Sequence, residues 1–72
     1  MRQRSALFAH GSIAMPRMVG SLQQAQRLAG DDARKSGRPE PVLSVDLSHP
    51  ERAVEVVGYV SPDGTYQQVH RV

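Results

Sequence analysis

The pattern of apolar and polar positions predicts one helix in the middle of the chain. Between Ser21 and Ser36, apolar side chains recur at helical spacing and the intervening positions are mostly polar. Ser21 and Gln24 form an S-x-x-Q capping box at the start, and Gly37 is well placed to end the helix in the left-handed conformation. The residues predicted to share the apolar face are Leu22, Ala25, Leu28 or Ala29, and Ala33.

Gly30 is the weak point of this predicted helix. A glycine inside a helix costs about 1 kcal/mol relative to alanine. The alternative is therefore a helix divided at Gly30, with Asp31 capping a second short turn. In the undivided helix, Asp31 and Lys35 are four residues apart, in the order that favours an ion pair.

Beyond Pro41 the pattern changes to the two-residue period of strands. Residues 41–47 predict a half-buried strand with Leu43, Val45 and Leu47 on one face. Residues 53–60 are rich in valine and predict a second strand, with a short helix over 49–57 as the alternative. The positions predicted to face inward on the second strand are Val54, Val56 and Val60.

Shorter signals surround these elements. Residues 61–65, SPDGT, predict a hairpin turn leading into a return strand, and a cross-strand pair of Tyr59 and Tyr66 would flank it. Residues 48–51, SHPE, form a second possible capping box and predict one helical turn. Residues 6–15 predict a strand that bends or bulges near Gly11, or two very short strands around it.

These elements together predict an α+β fold in the order β-α-β-β-β. One helix is expected to lie across a small antiparallel sheet of three or four strands. No repeat or long linker divides the sequence, so residues 1–72 are expected to form a single domain.

The length and composition of the chain exclude several kinds of functional site. A chain of 72 residues buries little apolar surface, and small domains of this kind often need a partner. The absence of cysteine excludes disulfides, thiolate metal sites and cysteine nucleophiles, and favours the reducing cytoplasm. No stretch is long and apolar enough to predict a membrane span, so no membrane partner is expected.

The charge is unevenly distributed along the sequence. Residues 1–38 carry seven basic and two acidic side chains, whereas residues 39–72 carry two basic and five acidic ones. Such asymmetry is typical of a surface that meets a polyanion, or of one that docks on a second copy of itself. The candidate residues for binding nucleic acid or an acidic partner are Arg17, Arg27, Arg34, Lys35 and Arg38.

Nothing in the sequence predicts an enzyme, a cofactor or a small-molecule substrate. His10, His49 and His70 lack metal-ligand spacing, and each is expected to be half-exposed. Asp31 and Asp32 diverge on a helix and are expected to lie on a solvated face. A domain with one helix and a small sheet leaves little room for a catalytic pocket.

A protein-binding role is the leading hypothesis from the sequence. The apolar residues before the helix, Met15, Met18 and Val19, are the candidate protein interface or homodimer seam. Size and the Arg- and Ala-rich composition suit an accessory regulator or inhibitor encoded by a phage or plasmid. The alternative is nucleic-acid binding through the basic residues of the helix and the loop that follows it.

Overall fold

The computed structural model describes residues 6–46, 48 and 53–69. They form one helix and five strands, and every pair of neighbouring strands is antiparallel. The order of strands across the sheet is β2-β1-β3-β4-β5. In chain order the elements are β1 Ala6–Gly11, β2 Pro16–Val19, α1 Leu22–Ser36, β3 Glu40–Asp46, β4 Ala53–Val60 and β5 Tyr66–Gln68.

The α+β class is confirmed, with one helix packed across an antiparallel sheet. The sheet has one strand more than the largest number expected. The additional strand is β2, which forms a hairpin with β1 and lies at the edge of the sheet. It has only four residues and begins at Pro16, which suits an edge position but gives a weak strand signal in the sequence.

The helix is capped as predicted, and Gly30 does not divide it. The backbone N–H of Gln24 donates to Ser21 Oγ at 3.1 Å, and the Gln24 side chain accepts from the backbone N–H of Gly20 at 3.4 Å. Gly37 ends the helix with φ 77°. Ala25, Ala29 and Ala33 are completely buried, whereas Leu22 and Leu28 are not. The small residues of this face allow the helix to approach the sheet closely.

Strand β3 places apolar residues on both faces of the sheet. Val42 packs with Ala25, Ala29 and Val60 beneath the helix. Leu43 and Val45 lie on the opposite face as predicted, in a second cluster with Ala9.

Strand β4 divides its valines between the same two faces. The strand prediction for residues 53–60 is confirmed, but the prediction that Val54, Val56 and Val60 share one face is wrong. The β3–β4 register shifts between Val42 and Leu43, so that Val57 is the extra residue. This bulge places Val60 toward the helix and leaves Val54 and Val56 on the other side.

The β4–β5 hairpin has the predicted turn. Gly64 adopts φ 93°, and Asp63 Oδ1 accepts from the backbone N–H of Thr65 at 2.9 Å. The predicted tyrosine pair is wrong, because Tyr59 is opposite Gln67 while Tyr66 is opposite Val60. The two tyrosines therefore lie on different faces of the sheet.

Some sequence predictions lie outside the described residues. They concern Leu47, most of the helical turn at 48–51, the start of the alternative helix at 49–52 and the last part of the return strand at 70–72. Ser48 is described, and its backbone N–H donates to Asp46 Oδ1 at 2.9 Å.

Candidate functional site

The β1–β2 hairpin presents large apolar side chains to solvent. Met15 at its tip is 77% exposed, Ile13 is 56% exposed, and Met18 on β2 is 41% exposed. A hydrogen bond spans the tip, where the backbone N–H of Met15 donates to Ser12 Oγ at 3.1 Å. Val19, the third residue of the predicted interface, is only half-buried and packs against the cluster beneath the helix. Ile13 was missed by the sequence analysis, although it lies in the same apolar segment.

An open groove of about 810 Å³ lies between this hairpin and the last turns of the helix. It is larger than the small sheet and single helix led us to expect. Strand β3 contributes Glu40 at its start. The full lining is Gly11, Ser12, Met15, Pro16, Arg17, Asp32, Lys35, Ser36 and Glu40.

The helix is joined to β1 beside this groove by a pair of polar side chains. His10 Nδ1 lies 2.6 Å from Asp32 Oδ2. A carboxylate has no proton to donate, so the ring N–H of His10 is the donor. The His10 side chain is 8% exposed and that of Asp32 is 27% exposed. The expectations of a half-exposed His10 and a solvated Asp32 are therefore wrong.

The other carboxylate of the groove, Glu40, also has partners within the structure. Ser36 Oγ donates to Glu40 Oε2 at 2.7 Å, and Arg38 Nε lies 3.8 Å from the same oxygen. Arg17 and Lys35, in contrast, have no carboxylate partner among the described residues. The groove thus presents two unpaired cations together with two carboxylates that are already engaged.

The five basic residues identified in the sequence differ in their surroundings. Arg17 and Lys35 line the same groove. Arg34 forms an ion pair with Asp31. The predicted ion pair between Asp31 and Lys35 is therefore replaced by a pair of residues three positions apart. Arg38 is directed toward Glu40. Arg27 lies toward the start of the helix, near Ser21, Gln23 and Gln24.

The remaining chemistry of the described residues is limited. No group of three or more acidic or histidine side chains is arranged there to hold a metal ion. His49 and His70 lie outside the described ranges. Within those ranges, no helix is long and apolar enough to cross a membrane.

Comparisons with known proteins give no relative from which a function could be transferred. No protein-family model, curated protein or solved structure gives a significant match to this chain. The interpretation of the hairpin and the groove therefore rests on their own geometry and chemistry.

Proposed function

We propose that this protein is a small non-enzymatic binding module that regulates or inhibits a protein partner through its β1–β2 hairpin. The observation that carries the proposal is the exposure of Ile13, Met15 and Met18 on one hairpin. They are three of the five large apolar side chains exposed among the described residues. Burial of one such side chain is worth about 1.5–3 kcal/mol, and methionine adapts to differently shaped partners.

The hydrogen bonds around the groove support a binding role rather than catalysis. Neither groove serine is hydrogen-bonded to His10 in the described part of the chain: Ser12 accepts from the Met15 backbone, and Ser36 donates to Glu40. A serine nucleophile needs a base within hydrogen-bonding reach. His10 is instead held by Asp32, which fixes the helix on the sheet.

The proposal also includes a homodimer and a cytoplasmic location. An exposed apolar hairpin at an edge strand suits a homodimer as well as a complex with another protein. We propose that the homodimer uses this surface. We also propose that the protein acts in the cytoplasm, because a chain without cysteine forms no disulfides and therefore needs no oxidising compartment. Sedimentation equilibrium of the wild type and of Met15→Ser tests the dimer, because loss of the apolar contact should favour the monomer.

Nucleic-acid binding is the second candidate. It is favoured by Arg17, Arg27 and Lys35, which have no ion-pair partner among the described residues. It is weakened by the carboxylates beside Arg34 and Arg38, which compete with phosphate for those two side chains. A phosphate-binding face would also be expected to gather these cations, whereas Arg27 lies outside the groove that Arg17 and Lys35 line.

Affinity capture from an extract of the source organism separates the two candidates. Tagged wild type, Met15→Ser and Tyr59→Ser are compared with and without nuclease, at low and high salt. Tyr59 is the matched control because it is 42% exposed but lies on β4, away from the hairpin. We expect wild type and Tyr59→Ser to recover the same partner protein, even with nuclease and at high salt. Met15→Ser should not recover it. Recovery that disappears with nuclease would favour nucleic acid instead.

A further inference from the structure

We propose that the groove between the hairpin and the helix binds an acidic peptide segment of the protein partner. A carboxylate of that segment would lie between Arg17 and Lys35, and a neighbouring apolar side chain would rest on Met15. This inference depends on the proposed protein-binding function and specifies the chemistry of the partner.

The carboxylates that could pair with the two cations are engaged with other residues. Asp31 is four residues before Lys35, the spacing of a helical ion pair, but it pairs with Arg34. Arg17 is the cross-strand neighbour of His10, and the carboxylate near that histidine, Asp32, accepts the His10 hydrogen bond. Arg17 and Lys35 are both exposed and both line the groove.

The two carboxylates of the groove, Asp32 and Glu40, repel an acidic ligand only weakly because both have partners within the structure. Asp32 Oδ2 is occupied by His10, and Glu40 Oε2 accepts from Ser36 with Arg38 nearby. The Arg38 guanidinium partly offsets the negative charge of Glu40, and the His10 and Ser36 donors hold the two carboxylates within the structure. The carboxyl end of a helix is itself slightly negative, so the ligand must contact the side chains of Lys35 and Arg17 rather than the helix backbone.

The shape of the groove favours a peptide segment over an enclosed small molecule. Its volume of about 810 Å³ is open to solvent, whereas small-molecule sites bury most of their ligand. Met15 and Pro16 form an apolar border next to Arg17. An apolar border beside two cations is complementary to a segment in which acidic and apolar residues are neighbours.

A selection from a random decapeptide library, displayed on phage, tests this directly. Enriched peptides are synthesised, and their affinities are measured by fluorescence anisotropy at two salt concentrations. We expect enrichment of Asp or Glu beside an apolar residue. The double variant Arg17→Gln/Lys35→Gln should bind such peptides at least 10-fold more weakly, whereas the control Arg27→Gln, which removes a cation outside the groove, should change affinity less than about 2-fold.

Several results would overturn the inference. These are a selection without binders, binders without acidic residues, equal losses for Arg17→Gln/Lys35→Gln and the control Arg27→Gln, or a single-stranded DNA decamer that binds as tightly as the peptides. Failure of the proposed hairpin function can be distinguished from failure of the acidic-peptide inference. If Met15→Ser abolishes capture of the partner but Arg17→Gln/Lys35→Gln does not, the hairpin function stands and the acidic ligand is wrong. If acidic peptides bind but Met15→Ser leaves capture unchanged, the hairpin is not the partner's main contact.

Discussion

His10 Nδ1 lies 2.6 Å from Asp32 Oδ2, and this contact joins the second half of the helix to β1. The two residues are 22 positions apart in the sequence. Asp32 also lines the groove, so the same pair joins the helix to the sheet and positions one side chain of the candidate site.

Removal of the Asp32 carboxylate should destabilise the fold. Asp32→Ala leaves the nearly buried N–H of His10 without its acceptor, which typically costs about 1–3 kcal/mol. Urea unfolding of the purified protein measures the change. The neighbouring substitution Asp31→Ala is the control: its ion pair with Arg34 is exposed, and such pairs contribute about 0–1 kcal/mol. Equal losses for the two variants would contradict a special role for the His10 contact.

Gly30→Ala should stabilise the protein by up to about 1 kcal/mol. Alanine is the better helix former, and a Cβ at this position would lie 3.4 Å from Val60 Cγ1, an ordinary packing distance. Gly37→Ala should have the opposite effect, with a loss of about 1–2 kcal/mol, because φ there is 77°. The midpoints of urea unfolding compare the two. A loss of stability in Gly30→Ala would show that Val60 cannot accommodate the added methyl group.

Gly58→Ala should destabilise the protein by about 1–3 kcal/mol through overpacking. A Cβ at Gly58 would lie only 2.5 Å from Cε1 and Cζ of Tyr66. Thermal unfolding measures the loss, and Gly20→Ala is the control, since its added Cβ would be 3.6 Å from Gln24 Oε1. If the tyrosine ring is the cause, Gly58→Ala should cost much less in a Tyr66→Ala background. If Gly58→Ala destabilises the Tyr66→Ala protein as much as the wild type, the loss comes from the strand backbone and not from the tyrosine ring.

The β4–β5 turn should weaken in acid. Hydrogen bonds from the backbone and hydroxyl groups of Thr65 lower the pKa of Asp63 below its ordinary value of 3.8. A lowered pKa in the folded state means that the stabilisation is present above pH 3.8 and is lost as the pH falls through the folded value.

Asp63→Asn tests this pH dependence. Asparagine keeps an oxygen acceptor for Thr65 but does not titrate in this range. Melting temperatures from pH 2 to pH 6 should show the wild type losing stability relative to Asp63→Asn at the acid end. Parallel curves for the two proteins would contradict the assignment.

The sequence predicted the elements whose signals are local. The Ser21 cap, the Gly37 end and the Asp63–Gly64 turn each depend on residues within a few positions of one another, and all three appear in the structure. The helix face was also predictable, because a repeat of alanines at helical spacing identifies the buried side.

The parts that were missed depend on contacts between distant residues. The bulge at Val57 moves Val60 to the face opposite Val54, and a regular two-residue alternation cannot reveal it. Likewise, nothing near His10 in the sequence identifies Asp32 as its partner. The groove exists only because β2 brings Arg17 to the same region as Lys35, and the four-residue strand β2 was not predicted.

The most direct test of the central claim is site-specific photo-crosslinking in the source organism. A photoreactive phenylalanine analogue is placed at position 15 of the hairpin tip or, as a control, at exposed position 67 on β5. We predict a discrete protein adduct from position 15 that survives nuclease treatment and is absent from position 67. No adduct at position 15, or only one that nuclease removes, would contradict a protein-binding hairpin.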